Sequence, residues 1–320
     1  MARNKFRQGA VVETTLDEVF EEYIQEKENL GRSKDTIRNY RLSYKIFCDY
    51  YDIDAEKTPI DRLEEKMFYQ WRQSMIEREI RKQSINHYLR DWRTFLNWCY
   101  ANGKMKEAIK IKEAKVQEDL PKMYTDEELE ALLTHPRTGD VYTVWRDWCI
   151  INLIYSTGLR ASSVCDLTID CLDFDKGFLT IPSQKNKKAG MLPITPALEH
   201  TLKDYMKKWL SEEPEEAYLF QTIKGDKLSV NALHQSIDRY CKLYNVKGHG
   251  VHSIRHNFAR DMILNGGGEY RLQAYLQHSN IQMSQHYVKL FSGDLKRDAE
   301  VYNPLDRAKQ KTSRTSKFKK

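Results

Sequence analysis

Hydrophobic residues recur at helical spacing over most of the first hundred positions. A Thr-x-x-Glu capping box at Thr15 predicts the start of a first helix, and Ser33 is suited to cap a second. A third helix is predicted over 60–79, and a fourth that ends at Asn102. Residues 13–103 are therefore predicted to be an all-helical bundle. The apolar stripes predicted to form its core are Leu16, Val19, Phe20, Tyr23, Ile24; Ile37, Tyr40, Tyr44, Phe47, Cys48; and Ile85, Tyr88, Leu89, Trp92, Phe95, Leu96, Cys99.

The pattern changes beyond this bundle. Residues 104–122 are rich in lysine and end in Leu-Pro, which predicts a linker. A second capping box at Thr125 opens a domain predicted over 123–300. Alternating residues on both sides of a polar turn predict a β-hairpin within 178–194. Helices are predicted over 141–155, from Pro196 onwards, and over 230–244, 253–264 and 270–277. The fold class is thus mainly α with a small β-sheet, in two domains.

Charge is unevenly distributed along the chain. The net charge is +6 over 320 residues, and the last fourteen residues hold seven lysines and arginines and no acidic residue. We expect residues 301–320 to form a basic tail. Such a cluster suits a polyanion, because each neutralised phosphate releases counterions. A merely solubilising tail is the alternative.

The cysteines and the hydropathy indicate the compartment. The six cysteines form no CxxC pair and lie among apolar residues, so we expect reduced core thiols. No signal peptide and no apolar run near 18 residues is present, and we expect a soluble, cytoplasmic, nucleoid-associated protein without membrane contact. His252 and His256 have a zinc-like spacing but lack a recognisable third ligand, so no metal or other cofactor is predicted.

Four separated segments of the second domain suit one chemistry on a phosphodiester. They are Thr-Gly-Leu-Arg ending at Arg160, His-Ser-Ile-Arg from His252 to Arg255, Leu-Gln-His ending at His278, and Tyr287 nine residues further on. Two guanidiniums can clamp the charge that develops on a five-coordinate phosphorus. A phenol can attack that phosphorus if positive charge or a base assists its ionisation.

In order and spacing these segments resemble the catalytic signature of the tyrosine recombinases, the integrase family that cuts and rejoins DNA through a phosphotyrosine. The resemblance covers about residues 13–300. It implies an N-terminal helical core-binding (SAM-like) bundle and a C-terminal tyrosine-recombinase catalytic domain. It also implies a site-specific recombinase that needs neither metal nor ATP and acts in integration or excision of a phage or transposon.

The resemblance assigns a role to each motif residue. Arg160 and Arg255 correspond to the phosphate clamp and His278 to a further donor, while Tyr287 corresponds to the nucleophile. His252 is the candidate base or orienting residue.

The general acid is expected on the predicted hairpin turn. Counting back from Leu-Pro-Ile at 192–194, Lys185 aligns with the family's acid, and Lys187 and Lys188 stay open as alternatives. Two positions depart from the family pattern. Ser163 stands where an acidic residue usually braces the first arginine, and Gln277 stands where a glycine usually precedes the third motif's histidine.

The polar face of the fourth helix is a candidate DNA-binding surface. Arginine, asparagine and histidine side chains suit contacts in a major groove, although a solvated surface is the commoner outcome. The residues of this face are Asn86, His87, Arg90, Arg93 and Asn97.

The resemblance also implies partners. These are double-stranded recombination sites, a homotetramer on DNA with a dimer at each site, and an accessory excisionase or a host DNA-bending protein. Three other functions stay open. They are a Xer-like resolvase, a non-catalytic DNA-binding factor descended from an integrase, and an enzyme like the type IB topoisomerases.

Overall fold

A computed structural model describes residues 14–114, 121–182, 190–214, 216–277 and 281–291. The chain divides after Glu118 into two compact units, which we call unit 1 and unit 2. This division falls inside the segment predicted to be a linker. The two units are taken separately below.

Unit 1 is helical in its described part. Its elements are α1 (Leu16–Asn29), α2 (Lys34–Tyr51), a 3-10 turn (Ile60–Arg62), α3 (Glu65–Glu77) and α4 (Lys82–Ala101). Thr15 forms the predicted capping box with Glu18, and Ser33 accepts the backbone N–H of Thr36 at the start of α2. These sequence signals place both helix starts correctly.

The helix predicted over 60–79 is confirmed over α3, but its predicted start was five residues too early. A bridge between Thr15 and Pro59 ties the chain before residue 60 to the start of α1. After the 3-10 turn, Leu63 and Glu64 are extended, and α3 begins only at Glu65. The side chain of Leu63 is nevertheless buried, so the interruption keeps an apolar position in the core.

The predicted core of unit 1 is confirmed at most positions. Tyr40, Tyr44 and Tyr88 are the exceptions, because they are only partly buried. Met105 and Ile111, both in the predicted linker, are buried in this same core. The linker prediction was therefore too long at its start, since residues up to 114 belong to unit 1 by their packing.

Unit 2 combines helices with a three-stranded antiparallel sheet, β1-β2-β3. The strands are β1 (Leu172–Asp173), β2 (Phe178–Ile181) and β3 (Gly190–Pro193), and Leu179 pairs with Leu192. The predicted hairpin is confirmed in its two strands, while its turn lies outside the described residues. The helices are α5 (Asp126–Leu133), α6 (Tyr142–Thr157), α7 (Ala161–Asp166), α8 (Pro196–Trp209), α9 (Val230–Leu243), α10 (Val251–Leu264), α11 (Glu269–Leu276) and α12 (Ile281–Phe291).

A buried polar network fixes α6 against α9. Arg146 and Asp147 are both 3% exposed, and Arg146 Nη2 lies 2.8 Å from Asp147 Oδ1. Ser236 of α9 donates its hydroxyl to Asp147, and Arg146 donates to the carbonyl of Gln221 at 2.9 Å. Because a buried charge is costly unless paired, this network holds α6 in one orientation.

All six cysteines are buried and free, as predicted. No helix in the described part of the chain is long and apolar enough to cross a membrane. Across the same ranges, no cluster of three histidine, cysteine or acidic side chains is placed to hold a metal ion.

Gly158 closes α6 in the left-handed region, with φ of +67°. A Cβ at this position would lie 2.5 Å from Leu276 Cδ2 and 2.6 Å from Phe258 Cδ1. Gly158→Ala is therefore expected to lower the free energy of unfolding by about 2 to 4 kcal/mol, through backbone strain and overpacking together. Urea denaturation measures this change.

Gly177 provides the matched control in the same unit. Its φ is +70°, but nothing lies within 4 Å of the position of an added Cβ. Gly177→Ala should therefore cost only the strain of the left-handed backbone, about 1 kcal/mol. Equal losses in the two variants would show that the close approach of α10 and α11 to Gly158 contributes nothing.

Candidate active site

Unit 2 brings together four of the predicted site residues. Arg160 caps the start of α7, His252 and Arg255 lie on α10, and Tyr287 lies on α12. These elements are far apart in sequence, so the site depends on the packing of α10 against α6, α11 and α12. Among the predicted site residues, Lys185 and His278 lie outside the described residues, as do the alternative acids Lys187 and Lys188.

Arg255 is held by the ends of two helices. Its side chain is buried, at 3% exposure. Nη1 donates to the carbonyl of Gly158, the C-cap of α6, and Nη2 donates to the carbonyl of Leu276 at 2.9 Å, the last residue of α11. Carbonyls at helix C-termini carry partial negative charge, so they favour a cation at this position.

Arg160 lies beside the same helix end. Its Nη2 donates to the carbonyl of Gln277 at 3.5 Å, a long bond for this pair of atoms. Gln277 caps α11 with φ of +50°, and the side chain of Gln277 lies against Gly190 at the start of β3. Gln277 therefore contacts both Arg160, through its backbone carbonyl, and the start of β3, through its side chain.

Backbone carbonyls hold the site in a way that the sequence did not predict. Ser163, which stands where the family usually has an acidic residue, is buried in α7. The carbonyls of Gly158, Leu276 and Gln277 accept hydrogen bonds from the two arginines. Because carbonyls carry only partial negative charge, these hydrogen bonds position the guanidiniums and by themselves neutralise only part of their charge.

The pKa values in the site reflect burial first and the charges of neighbouring groups second. Burial, and then the charge of Arg160, lowers the pKa of Arg255 to about 10. Burial also lowers the pKa of Arg160. For Tyr287, burial raises the pKa, whereas Arg255 and Arg160 act in the opposite direction by favouring the phenolate. The arginines thus partly offset the cost of forming a buried phenolate.

His256 is a site residue that the sequence reasoning missed. Its Nδ1 lies 2.7 Å from the hydroxyl oxygen of Tyr287, a short hydrogen bond. The available signal was its spacing, one residue after Arg255 and four after His252, which puts it on the same helical face as His252. That spacing was considered only as a possible zinc pattern.

His252, the candidate base, lies one turn earlier on α10. Its ring meets that of His256 edge to face, with centroids 4.7 Å apart. Although the residue as a whole is exposed, the protein packed around the ring lowers the pKa of His252, and Arg255 and Arg160 lower it further. Both histidines therefore favour the neutral state at pH 7.

The α4 surface of unit 1 differs from its prediction at Asn86. The side chain of Asn86 is 5% exposed, so it is not part of an open polar face. Its amide nitrogen donates to the carbonyl of Ala114 at 2.9 Å, and the backbone N–H of Ala114 donates to Asn86 Oδ1 at 2.8 Å. Asn86 thus fixes the chain that follows α4 instead of being open to a base.

The other four residues of that face lie at least partly at the surface. His87, Arg90 and Asn97 are exposed and Arg93 is half-buried. Glu113 pairs with both arginines, with Oε1 2.8 Å from Arg93 Nη2 and Oε2 3.5 Å from Arg90 Nε. A carboxylate therefore pairs with both arginines that were predicted to contact DNA.

The geometry of the unit 2 site suits transfer of a phosphodiester to a tyrosine. The site offers a buried phenol, two guanidiniums that donate to backbone carbonyls, and a neutral histidine hydrogen-bonded to the phenol. Guanidiniums can stabilise the equatorial oxygens of the transition state while the phenol attacks in line.

Comparisons with known proteins agree with this chemistry. Residues 122–293 match the model of the phage integrase family. The chain is 28% identical over 284 residues to tyrosine recombinase XerC of Thermodesulfovibrio yellowstonii, covering 85% of this chain and 90% of the relative. It is 28% identical over 296 residues to tyrosine recombinase XerA of Pyrococcus furiosus, covering 92% and 96%. Among solved structures, the Tn1549 transposon integrase in complex with a circular intermediate DNA matches with a TM-score of 0.72 at 18% identity, covering 85% and 94%.

Proposed function

Because this chain belongs to the phage integrase family and is a tyrosine recombinase, we propose that it integrates and excises a mobile element through a 3′-phosphotyrosine on Tyr287. The observation that carries the proposal is the packing of α12, which holds Tyr287, against α10, which holds Arg255; the charges of Arg255 and Arg160 favour the phenolate of Tyr287. A buried tyrosine of purely structural use has no need of two guanidiniums that favour its ionised form.

The proposed step exchanges one diester for another. Tyr287 Oη attacks the scissile phosphorus, the new O–P bond forms, and the bond from phosphorus to the 5′ oxygen breaks. The phenolic proton leaves to a base, and the 5′ oxygen takes a proton from a general acid, for which Lys185 is the candidate. Since the phosphotyrosyl bond keeps the energy of the original diester, a 5′ hydroxyl of a second strand can reverse the step without ATP.

The roles of the residues follow from their positions. Arg255, fixed at two helix ends, and Arg160 bind the non-bridging oxygens of the phosphate. Unit 1 binds DNA through the α4 face, and four protomers assemble on two recombination sites, aided by an excisionase or a DNA-bending protein. His278 adds a donor to the same phosphate by its place in the motif.

The decisive experiment offers the protein DNA from the flanks of its own gene. We expect covalent protein–DNA adducts at both flanks and joining of the two ends into a circle, as detected by denaturing gels and sequencing of the junction. Absence of an adduct on every such substrate would contradict the mobile-element function.

A Xer-like resolvase is the second candidate. The curated relatives that support it carry the names XerC and XerA and align over most of their lengths. This function predicts adducts on one chromosomal site that lies apart from the gene, and conversion of dimeric to monomeric circles. The same adduct assay, run on fragments of the host chromosome, separates the two candidates.

Glu113 offers a direct test of the proposed DNA-binding face. Its carboxylate pairs with Arg90 and Arg93, so it competes with a phosphate for the same guanidiniums. Glu113→Gln should raise DNA affinity at low salt by roughly two- to fivefold, because an exposed pair is worth up to about 1 kcal/mol. Fluorescence anisotropy with a duplex measures the effect, which should shrink as salt is raised.

Glu21→Gln is the matched control. Glu21 pairs with Arg41, which lies on α2 and outside the proposed face. The substitution changes the net charge by the same amount and also leaves an arginine without its carboxylate. If the two variants gained affinity equally, the gain would reflect net charge alone, and the α4 face would lose its support.

A further inference from the structure

We propose that His256 is a catalytic residue, the base that takes the phenolic proton of Tyr287 during strand cleavage and returns it during rejoining. The inference rests on the proposed role of Tyr287 as the nucleophile. It gives a function to a histidine that lies outside the four motif segments and assigns to it the task first considered for His252.

The first support is direct contact with the reacting atom. His256 Nδ1 lies 2.7 Å from Tyr287 Oη, and the two ring centroids are 5.6 Å apart with 44° between the planes. A base must lie within hydrogen-bonding reach of the proton that it removes. His252 lies a turn away from His256 along α10, and its ring packs against His256.

The second support is the protonation state that the surroundings impose. Burial lowers the pKa of His256 to about 4, and the neighbouring His252 and Arg255 on α10 and His286 on α12 act in the same direction. Above this pKa the imidazole is neutral, so it can accept a proton on Nδ1 when Nε2 carries the ring hydrogen. A protonated imidazole at this position could not accept the phenolic proton, because both of its ring nitrogens already carry hydrogen.

Bound DNA is expected to raise the proton affinity of His256 before strand cleavage. A scissile phosphate on Arg160 and Arg255 brings negative charge next to Arg255, whose charge lowers the proton affinity of His256. The phosphate therefore raises that affinity, while the same guanidiniums stabilise the developing charge on phosphorus. Free protein keeps the phenol protonated, and DNA-bound protein favours its ionisation.

The step balances in both directions. In cleavage the O–H bond of Tyr287 breaks as its O–P bond forms, the proton passes to His256 Nδ1, and the 5′ oxygen leaves with a proton from the general acid. In rejoining the 5′ hydroxyl attacks phosphorus and gives its proton back to that acid. The departing phenolate oxygen then recovers its proton from the imidazolium of His256.

His256→Asn is the sharpest test. An asparagine places its amide close to the position of Nδ1, so it can keep a hydrogen bond to Tyr287, but it cannot accept a proton. We expect His256→Asn and His256→Ala both to lose at least about a hundredfold in cleavage rate at pH 7. DNA binding and the thermal unfolding midpoint should stay close to the wild-type values.

The pH profile distinguishes a base from a residue that only supports the fold. Without a base, cleavage depends on phenolate already present, so the variants should gain roughly tenfold per pH unit between pH 7 and 9. The wild-type rate should be nearly flat over that range, because His256 is already neutral. The wild-type profile tests the proposal even if a variant fails to fold. A tenfold rise of the wild-type cleavage rate per pH unit would overturn the proposal.

A substrate with sulfur at the bridging 5′ position separates base from acid. A thiolate leaves without a proton, so Lys185→Ala should recover on this substrate if Lys185 is the acid. His256→Asn should not recover, since its defect lies at the nucleophile. Recovery of His256→Asn would move His256 to the leaving-group side and overturn its assignment.

His200→Asn is the control variant. His200 lies on α8 of the same unit, and its side chain is 76% exposed. The cleavage rate of His200→Asn should stay within about twofold of wild type, with the same pH profile, as is usual for a surface substitution.

The outcomes separate this inference from the proposed function. If His256→Asn cleaved DNA within a few fold of the wild-type rate and only His256→Ala lost activity, His256 would merely orient the hydroxyl of Tyr287. Equal losses at pH 7 and 9 would also overturn the proton transfer. If the wild-type protein itself formed no adduct, the proposed function would fail first.

Discussion

Tyr287→Phe is expected to abolish the covalent protein–DNA adduct and to leave DNA affinity close to wild type. The hydroxyl is the only atom that supplies a bond to phosphorus, and its loss leaves no nucleophile at this position. The ring is 8% exposed and stacks near Phe291, with centroids 6.2 Å apart, so a phenylalanine fills the same space. A nicked suicide substrate, which traps the cleaved strand, makes the adduct visible on a denaturing gel.

Tyr270→Phe is the comparison that this experiment needs. Tyr270 lies on α11 in the same unit, but its side chain is 75% exposed. This variant should form the adduct at the wild-type rate. If the Tyr287→Phe protein still became linked to DNA, another residue would be the nucleophile, and Tyr270 and His286 would be the first candidates.

The helices of this protein were predictable where local signals are strong. Capping boxes at Thr15 and Thr125 and the Thr195-Pro196 pair fix helix starts through short-range hydrogen bonds, and the structure has each of them in place. These signals depend only on neighbouring residues, so they do not need knowledge of the fold.

Short elements were missed because their cause is not local. α7 has six residues and β1 has two, too few for a periodic pattern. β1 exists because β2 offers it hydrogen bonds, with Leu172 paired to Leu179. The break before α3 likewise follows from the contact of Pro59 with Thr15, more than forty residues away in the chain.

The site shows the same division between local and distant causes. Motif spacing identified Arg160, Arg255 and Tyr287, which the structure brings together. It did not identify the carbonyls that hold the two arginines, because a backbone acceptor leaves no signature in the sequence. His256 was visible in the sequence but gained its meaning only when α12 placed Tyr287 against it.

The α4 face illustrates how composition misleads. Asparagine, histidine and arginine on one helical face suit DNA bases and equally suit contacts with the chain itself. The side-chain amide of Asn86 hydrogen-bonds to the backbone of Ala114, and the carboxylate of Glu113 pairs with Arg93. A polar face predicts hydrogen bonding, but the partner depends on where the following chain runs.

Replacing either arginine of the site by lysine is expected to lower the rate of cleavage by at least about a hundredfold, as does loss of one preorganised oxyanion donor. In Arg255→Lys the single ammonium cannot bridge the carbonyls of Gly158 and Leu276 as the guanidinium does. The lysine would therefore be drawn to one helix end and away from the phosphate. Single-turnover cleavage of a suicide substrate measures the loss.

DNA affinity should fall far less than the rate in these variants. Contacts to phosphates are spread over a long interface, and one lysine still supplies a positive charge. The expected separation of rate from affinity is the mark of an interaction that strengthens in the transition state. An arginine whose replacement weakened binding but kept the wild-type rate of cleavage would act in docking and not in chemistry.

Arg260→Lys, on the same helix as Arg255, tests whether replacing any arginine of α10 by lysine lowers the cleavage rate by a hundredfold. Arg260 pairs with Asp126 and Asp261, so its charge is compensated by carboxylates. Its replacement should change cleavage by no more than about twofold, because a pair near the surface contributes little. Arg255 differs in its printed geometry, because its guanidinium donates to the backbone carbonyls of Gly158 and Leu276 at the ends of two helices. A hundredfold loss in Arg260→Lys would mean that the rate reports the packing of α10 and not the charge on the scissile phosphate.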